Sequence, residues 1–400
     1  MASPYSWLDK SLQTIHKANW YRSVQAIEGK TGSVVNVGGR QIVNFASNDY
    51  LGFAGDSRLI EKAIAAAQRF GTSATGSRLL SGHRELHREL EKAIAALKGT
   101  EDAVVFSSGY LANIGTVSAL ASDRDLILTD EYNHASLKDG ATLSGAKVIT
   151  YRHSDTAHLD EQISSQRTAH RRALVLTDGV FGMDGDVCHL PQILETANAH
   201  EAMVLVDEAH SAGVLGQTGA GCAEHFGLSH LTFVQMGTLS KAFASLGGYV
   251  AGDANLIDFL RNRARSWIYT TGLSPADTAA ALCAIQLLQQ DPMRVTQLHR
   301  NVQSLCKQID ELIKSLPGDQ SFKRLHTDSA IVCLQVKDAA TVLRLGQLLK
   351  EAGIFVSAVR PPTVPTSRLR MSVMATHTQE HIDRLIDGLA RSLKILAETN

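Results

Sequence analysis

The sequence lacks any pattern that would pair its cysteines. Cys188, Cys222, Cys283, Cys306 and Cys333 are scattered over 400 residues. With no CxxC pair and no short Cys/His spacing, they argue against a zinc cage or a disulfide framework and suit a reducing cytoplasm. An excess of one charge is also missing, because 39 basic and 40 acidic side chains nearly cancel. No broad field therefore draws the chain to nucleic acid or to an anionic membrane, and any anion site must be local. No apolar run approaches membrane-spanning length, and Asp9, Lys10, His16 and Lys17 interrupt any signal-peptide core. GxGxxG and GxxxxGK[ST] are both absent, which removes the dinucleotide fingerprint and the Walker loop. His83-Arg84-Glu85-Leu86-His87 has metal-ligand spacing, but Arg84 stands where a zincin carries Glu. That segment reads as the polar face of a helix. Repeats, low-complexity tracts and obvious linkers are absent as well.

What remains is a long chain with a clear alternation. Its length is too great for one ordinary core, and three parts are expected: an N-terminal segment (1–50), a large domain (51–290) and a small C-terminal domain (291–400). A polar amphipathic opening (7–28) leads to a strand and turn over 44–52, then to helical patterns at 58–70 and 83–98, with Gly99 as a C-cap candidate. From 100 to about 252, short β-branched runs at 103–106, 125–128, 147–151, 173–176, 203–206 and 233–236 mostly alternate with helical periods such as 111–120 and 190–200. This predicts βαβ units and a mainly parallel sheet flanked by helices, with ligands bound beyond the carboxyl ends of its strands. A long helical stretch is expected from Ser274-Pro275 to 316. Strands at 330–336, 354–359 and 368–373 and helices between and after them make the smaller α/β domain.

Chemistry-bearing residues fall just after the apolar runs. Val206-Asp207-Glu208-Ala209-His210 ends a buried strand in a carboxylate followed by an imidazole. Alone, this fits a capping Asp and an ordinary loop histidine equally well. Its functional reading is specific: a carboxylate fixed there can keep a pyridine nitrogen protonated. Thr238-Leu239-Ser240-Lys241, with Gly247-Gly248 beyond, ends another strand in hydroxyls and a lysine. A lone lysine in such a place is usually solvated surface. Beside a cationic ring, however, desolvation lowers its pKa, as imine formation requires. Ser107-Ser108-Gly109-Tyr110 opens a helix and can present free N–H groups to an anion. His134 can either start a helix or lie over a planar ring. Arg360, stiffened by Pro361, Pro362 and Pro365, is a bidentate partner for a carboxylate.

Five stretches carry a resemblance: residues 47–52 (Ser-Asn-Asp-Tyr-Leu-Gly), 76–82 (Gly-Ser-Arg-Leu-Leu-Ser-Gly), 207–211 (Asp-Glu-Ala-His-Ser), 238–241 (Thr-Leu-Ser-Lys) and 360–365 (Arg-Pro-Pro-Thr-Val-Pro). Together the chain resembles the fold-type-I pyridoxal-5′-phosphate (PLP) enzymes and, within them, the α-oxoamine synthases, from about Trp20 onward. The resemblance implies an α/β, fold-type-I PLP-dependent transferase acting as a homodimer. It implies that Lys241 holds the cofactor as a Schiff base and later moves protons at the substrate α-carbon. Asp207 is to pair with the pyridine nitrogen, His210 with the phenolic oxygen, and His134 to stack on the ring. Gly109, Tyr110 and Thr238 are to bind the phosphate region, joined by Thr270 or Thr271 of the segment that reaches the partner's phosphate. Arg22, Asn48, His134 and Thr363 match substrate-contacting positions, and Arg360 is to hold the amino-acid carboxylate. The closest branch condenses L-alanine with pimeloyl-CoA or pimeloyl-acyl carrier protein and releases CO₂. A sister synthase using glycine or serine with another acyl-CoA is the alternative. Two departures stand out: Gly182 replaces the family's usual cofactor-touching Ser, and the loop 366–370 is shorter than the family pattern.

Overall fold

A computed structural model describes residues 3–18, 20–22, 24–316 and 322–399; positions 19 and 23 of the expected amphipathic opening lie outside them. That opening forms a helix only over Trp7–Lys17, and none of its residues is buried. Strands β1 (Val34–Val37) and β2 (Arg40–Asn44) then make an antiparallel hairpin. The helices that follow are Ser57–Phe70 and Glu85–Lys98, the second closed by Gly99 at φ +65°, the left-handed cap its sequence position suggests.

The alternation after residue 100 becomes one seven-stranded sheet. Its strands are β3 (Asp102–Phe106), β4 (Leu126–Asp130), β5 (Lys147–Tyr151), β6 (Ala173–Asp178), β7 (Ala202–Asp207), β8 (Val234–Thr238) and β9 (Gly248–Gly252). They lie in the order β3-β9-β8-β7-β6-β4-β5. Only β9 runs against its neighbours. Every residue of β3, β4, β6 and β8 is buried, which is why these strands read as continuous apolar runs. β9 was not expected, because its leading glycines read as loop. Gly248 is required there: a Cβ would lie 2.5 Å from the Cα of Gly109, at the start of the helix Gly109–Leu120.

The last third builds β10 (Lys323–Arg324), β11 (Ile331–Gln335), β12 (Ile354–Phe355), β13 (Ser357–Val359) and β14 (Arg368–Ser372). Two expectations are corrected here. The single helix to residue 316 is two, Pro275–Gln290 and Met293–Ser315, because Pro292 cannot donate a backbone hydrogen bond and breaks the run. The strand expected over 354–359 is divided between two sheets. β12 pairs parallel with β2 of the N-terminal hairpin, while β13 joins the antiparallel sheet β10-β11-β14-β13.

Consecutive strands leave β4 in opposite directions across the sheet, toward β5 on one side and through β6, β7 and β8 on the other. Crevices form beyond the carboxyl ends of strands at such a reversal, and the candidate residues sit there. Behind it, Lys98 and Glu208 form an ion pair with both side chains fully buried, 2.9 Å apart. Glu208 also accepts from the Cys222 N–H at 2.8 Å and from Ser211 Oγ at 3.3 Å. The pair anchors the residue next to Asp207 to the helix Glu85–Lys98. Lys98→Ala leaves the Glu208 charge buried without its partner, and stability is expected to fall by about 3–5 kcal/mol. A urea titration checks this as a lower midpoint; an unchanged midpoint refutes the anchoring role.

Candidate active site

A cavity of about 930 Å³ lies beyond the carboxyl ends of the sheet, closed on its far side by β13, residues 363–365 and β14. Five segments that follow strands converge on it: Ser108-Gly109-Tyr110 after β3, residues 131–136 after β4, 181–184 after β6, Ala209-His210 after β7, and Ser240-Lys241 after β8.

Lys241 is the amine at the centre. Its Nζ lies 2.8 Å from His210 Nε2. Burial lowers its pKa to about 8, against the pull of the Asp207 and Asp178 carboxylates, with Arg370 helping to lower it. His210 Nδ1 lies 2.6 Å from the Tyr50 hydroxyl, which also donates to Asn48 Oδ1 at 3.2 Å. Burial drives the His210 imidazole well below its usual range, reinforced by Lys241 and Arg370, so the ring is neutral at pH 7. Burial likewise raises the Tyr50 phenol to about 12. A hydrogen-bonded chain of neutral groups therefore leads away from the lysine.

Asp207 is 3 % exposed at the end of β7. One carboxylate oxygen accepts from Asn113 Nδ2 at 2.6 Å and the other from the Ala209 N–H at 2.9 Å. Asn113 also donates to Ser136 Oγ, whose distance to His134 Nδ1 is 2.7 Å. His134 is the N-cap of the helix Ala135–Ser144, and its N–H donates to Asp178 Oδ2 at 2.7 Å. Burial lowers the His134 pKa, so it too presents a neutral ring. Asp178 pairs in register with Asp207, and burial together with that neighbouring charge raises its pKa well above the ordinary carboxylate range.

Eleven of the residues singled out from sequence line this one cavity: Arg22, Asn48, Gly109, Tyr110, His134, Gly182, Asp207, His210, Thr238, Lys241 and Thr363. Arg22 Nη2 donates to Thr363 Oγ1 at 3.4 Å, and Tyr110 donates to Asp139. The hydroxyls of Thr238 and Ser240, expected to face a phosphate, donate to the Gly247 carbonyl here. Two residues are not brought to the lining. Thr271 is exposed and accepts from Ser107 Oγ through its carbonyl, and Arg360 follows β13 with its carbonyl accepting from the Thr363 N–H.

A buried arginine that sequence did not single out also lines the cavity: Arg370, on β14. It is 5 % exposed and donates to the Gly182 carbonyl at 2.5 Å, to Asn48 Oδ1 at 3.1 Å and to Ser372 Oγ at 2.8 Å. Sequence reasoning passed over it, as it did Asn113, Asp178 and Tyr50. Asp178 was findable, since it ends β6 as Asp207 ends β7. Gly182 also has a local cause: a Cβ there would lie 2.5 Å from His210 Nε2, so a serine requires His210 to shift.

Comparison with known proteins gives the family. The model of the family "Aminotransferase class I and II" matches residues 40–389. A protein of Cyanothece sp. (strain PCC 7425) named "Putative 8-amino-7-oxononanoate synthase" is 60% identical over 394 residues, covering 98% of this chain and 99% of the relative. One of the same name from Nostoc punctiforme is 60% identical over 386 residues, 96% of each chain. The chain belongs to the 8-amino-7-oxononanoate synthase family. Among solved structures, serine palmitoyltransferase of Sphingomonas wittichii superposes with a TM-score of 0.91 at 30% identity, covering 98% of this chain and 99% of that one. The 8-amino-7-oxononanoate synthase of Francisella tularensis gives 0.73 at 28% identity, covering 89% and 99%. Membership makes the chain a PLP-dependent acyltransferase of fold type I, in the enzyme class of the biotin pathway.

The residues present fit that cofactor. A desolvated lysine, a buried carboxylate at a neighbouring strand end and the N-terminus of the helix Gly109–Leu120, which lines the cavity through Gly109 and Tyr110, match an aldehyde, a pyridinium and a phosphate in turn. The lowered pKa of Lys241 gives a direct test. The rate at which apoprotein captures PLP should rise with pH up to about 8 and then level, because the free amine is the nucleophile. Asp207→Asn removes a charge that holds the proton on, so its plateau should begin at lower pH. Capture that keeps climbing to the pKa of an ordinary lysine contradicts this environment.

Proposed function

We propose that the enzyme condenses L-alanine with a pimeloyl thioester, giving 8-amino-7-oxononanoate, CO₂ and the free thiol. The observation that supports this most is the cavity itself, where Lys241, Asp207, His210 and His134 meet Arg370 and Arg22 in a chain 60% identical to relatives bearing the synthase name. When bound, PLP supplies an electron sink conjugated to the α-carbon of the amino acid. The protein's own residues do the rest. Lys241 holds the cofactor and takes and returns the proton at that carbon. Asp207, oriented by Asn113 and the Ala209 N–H, keeps the pyridine nitrogen protonated. His210 would hold the phenolic oxygen, and His134 would stack on the ring. Gly109, Tyr110, Thr238 and, from the partner subunit of a homodimer, the Thr271 segment serve the phosphate. The new C–C bond joins the alanine α-carbon to the thioester carbonyl as the C–S bond breaks; the alanine carboxylate then leaves as CO₂ and the α-carbon is reprotonated.

Five free thiols and near-zero net charge fit a cytoplasmic setting, and no described helix is long and apolar enough to cross a membrane.

Initial rates for alanine, glycine and serine crossed with pimeloyl, succinyl and palmitoyl thioesters, on CoA and on acyl carrier protein, test the substrates. Alanine with a pimeloyl donor should be fastest. Glycine, which lacks only a methyl, should lose about 1–3 kcal/mol. Faster turnover with serine and a palmitoyl donor moves the chain to a sister synthase.

Which arginine holds the alanine carboxylate is a separate question. Sequence pointed to Arg360, and the cavity lining points to Arg370. Arg370→Ala should raise the KM for alanine by the equivalent of about 2–5 kcal/mol, while Arg360→Ala should leave it nearly unchanged. The reverse pattern restores Arg360 to the role.

A further inference from the structure

His153, just after β5, lies outside every motif considered so far. Its Nδ1 is 3.0 Å from Asp130 Oδ1 and its Nε2 2.9 Å from Asp186 Oδ2. A neutral imidazole has one N–H and cannot donate to two carboxylates, so with both aspartates ionised this geometry calls for the imidazolium. Its ring stacks on Tyr132 at 4.2 Å and meets Phe181 edge-on at 4.4 Å. Tyr132 and Phe181 both line the cavity, one on the loop after β4 and the other on the turn after β6.

The surroundings concentrate on holding this group. Asp130, 1 % exposed, also accepts from the Tyr132 N–H and the Ser154 N–H, both at 2.8 Å. Ser154 has φ +53°, a left-handed backbone that is costly for a residue with a side chain. Glu131 Oε1 accepts from the His153 N–H at 2.9 Å. The turn bearing Asp186 is fixed to the small domain. There Arg370 donates to the Gly182 carbonyl, Arg368 pairs with Asp184, and Thr327 and Ser329 donate to the Gly185 carbonyl at 2.7 Å.

We propose that His153 is a positioning residue: clasped between Asp130 and Asp186, it fixes Tyr132 and Phe181 as one wall of the cavity, against which the acyl chain of the thioester lies. The acyl part rests on the function proposed above; the clasp does not. The charged and titratable groups facing the ring are Asp130, Glu131 and Tyr132 from the loop after β4, and Asp186 from the turn after β6. On its own segment Arg152 is engaged by Asp155. Burial opposes the cation, but the two carboxylates outweigh it and push its pKa up to about 9. A pKa raised on folding means that its stabilisation is complete below the unfolded value of about 6.5 and is lost as pH rises through about 9.

The test uses the PLP-loaded enzyme, its Asp186→Asn variant and a His153→Phe variant that keeps an aromatic ring but no donors. Imidazole ¹⁵N NMR should show His153 doubly protonated at pH 7.5 in the wild type. In Asp186→Asn the titration should move to lower pH. In kinetics, both variants should raise the KM of the acyl thioester severalfold with a smaller change in kcat and no loss of bound PLP. The alkaline limb of kcat/KM should fall at lower pH in Asp186→Asn. A singly protonated His153 at pH 7.5 overturns the clasp. A wild-type acyl KM and pH profile in Asp186→Asn overturns the positioning role, even if His153→Phe does not fold. If the wild type has no synthase activity, the function fails separately, and the NMR measurement still decides the clasp.

Discussion

The carboxylate of Asp207 is held at the end of a parallel strand, inside protein, with one oxygen on Asn113 and the other on a backbone N–H. A charge in such a place is costly unless every lone pair is engaged, and much of the site follows from meeting that demand. The helix Gly109–Leu120 must bring Asn113 against β7, which explains the close packing of Gly109 on Gly248. Asp178, one strand away, is buried too and faces the Asp207 charge, so its pKa rises. Lys241 feels the opposing pulls of burial and of Asp207 and settles at about 8. The polar centre is thus one coupled arrangement, in which charge is confined to a few positions while the two histidines flanking the lysine remain neutral.

The parts of this legible in sequence share a physical cause. A parallel sheet needs helices on both faces, so its strands are uniformly apolar and end abruptly where the ligand-facing loops begin. Asp207, Lys241 and His134 each follow such an ending, and they could be located without coordinates. Arg370 could not. It lies on a strand buried along its whole length, and alternation would assign its side chain to solvent. Asn113 sits within a helix, where nothing local separates a residue that orients a carboxylate from one that packs. Tyr50 stood inside a quoted motif, but its link to His210 spans 160 positions. The divided strand at 354–359 was hidden for a related reason: two sheets compete for one short extended run, and only tertiary pairing decides where it parts.

The two sides of the cavity differ in how they are built. On the large-domain side, short loops descend directly from strands that share one sheet, so their relative positions are set by its register. The other side is assembled from β13, β14 and the 363–365 segment, and it meets the first through polar contacts to the turn after β6. Arg370 and Arg368 on β14, and Thr327 and Ser329, all grip that turn from the small domain. Lys241, Asp207, His210 and His134 sit on the first side, and Arg370, Arg22 and Thr363 sit on or across the junction.

The pairing of β2 with β12 has a consequence during synthesis. β2 is an interior strand whose second neighbour, Ile354–Phe355, is supplied from near the far end of the chain. While the ribosome translates everything between them, β2 has one row of backbone donors and acceptors without its final partner. An open strand edge of this kind invites pairing with foreign chains. The hairpin is therefore a part of the nascent protein that needs shielding until Ile354–Phe355 emerges and pairs with β2.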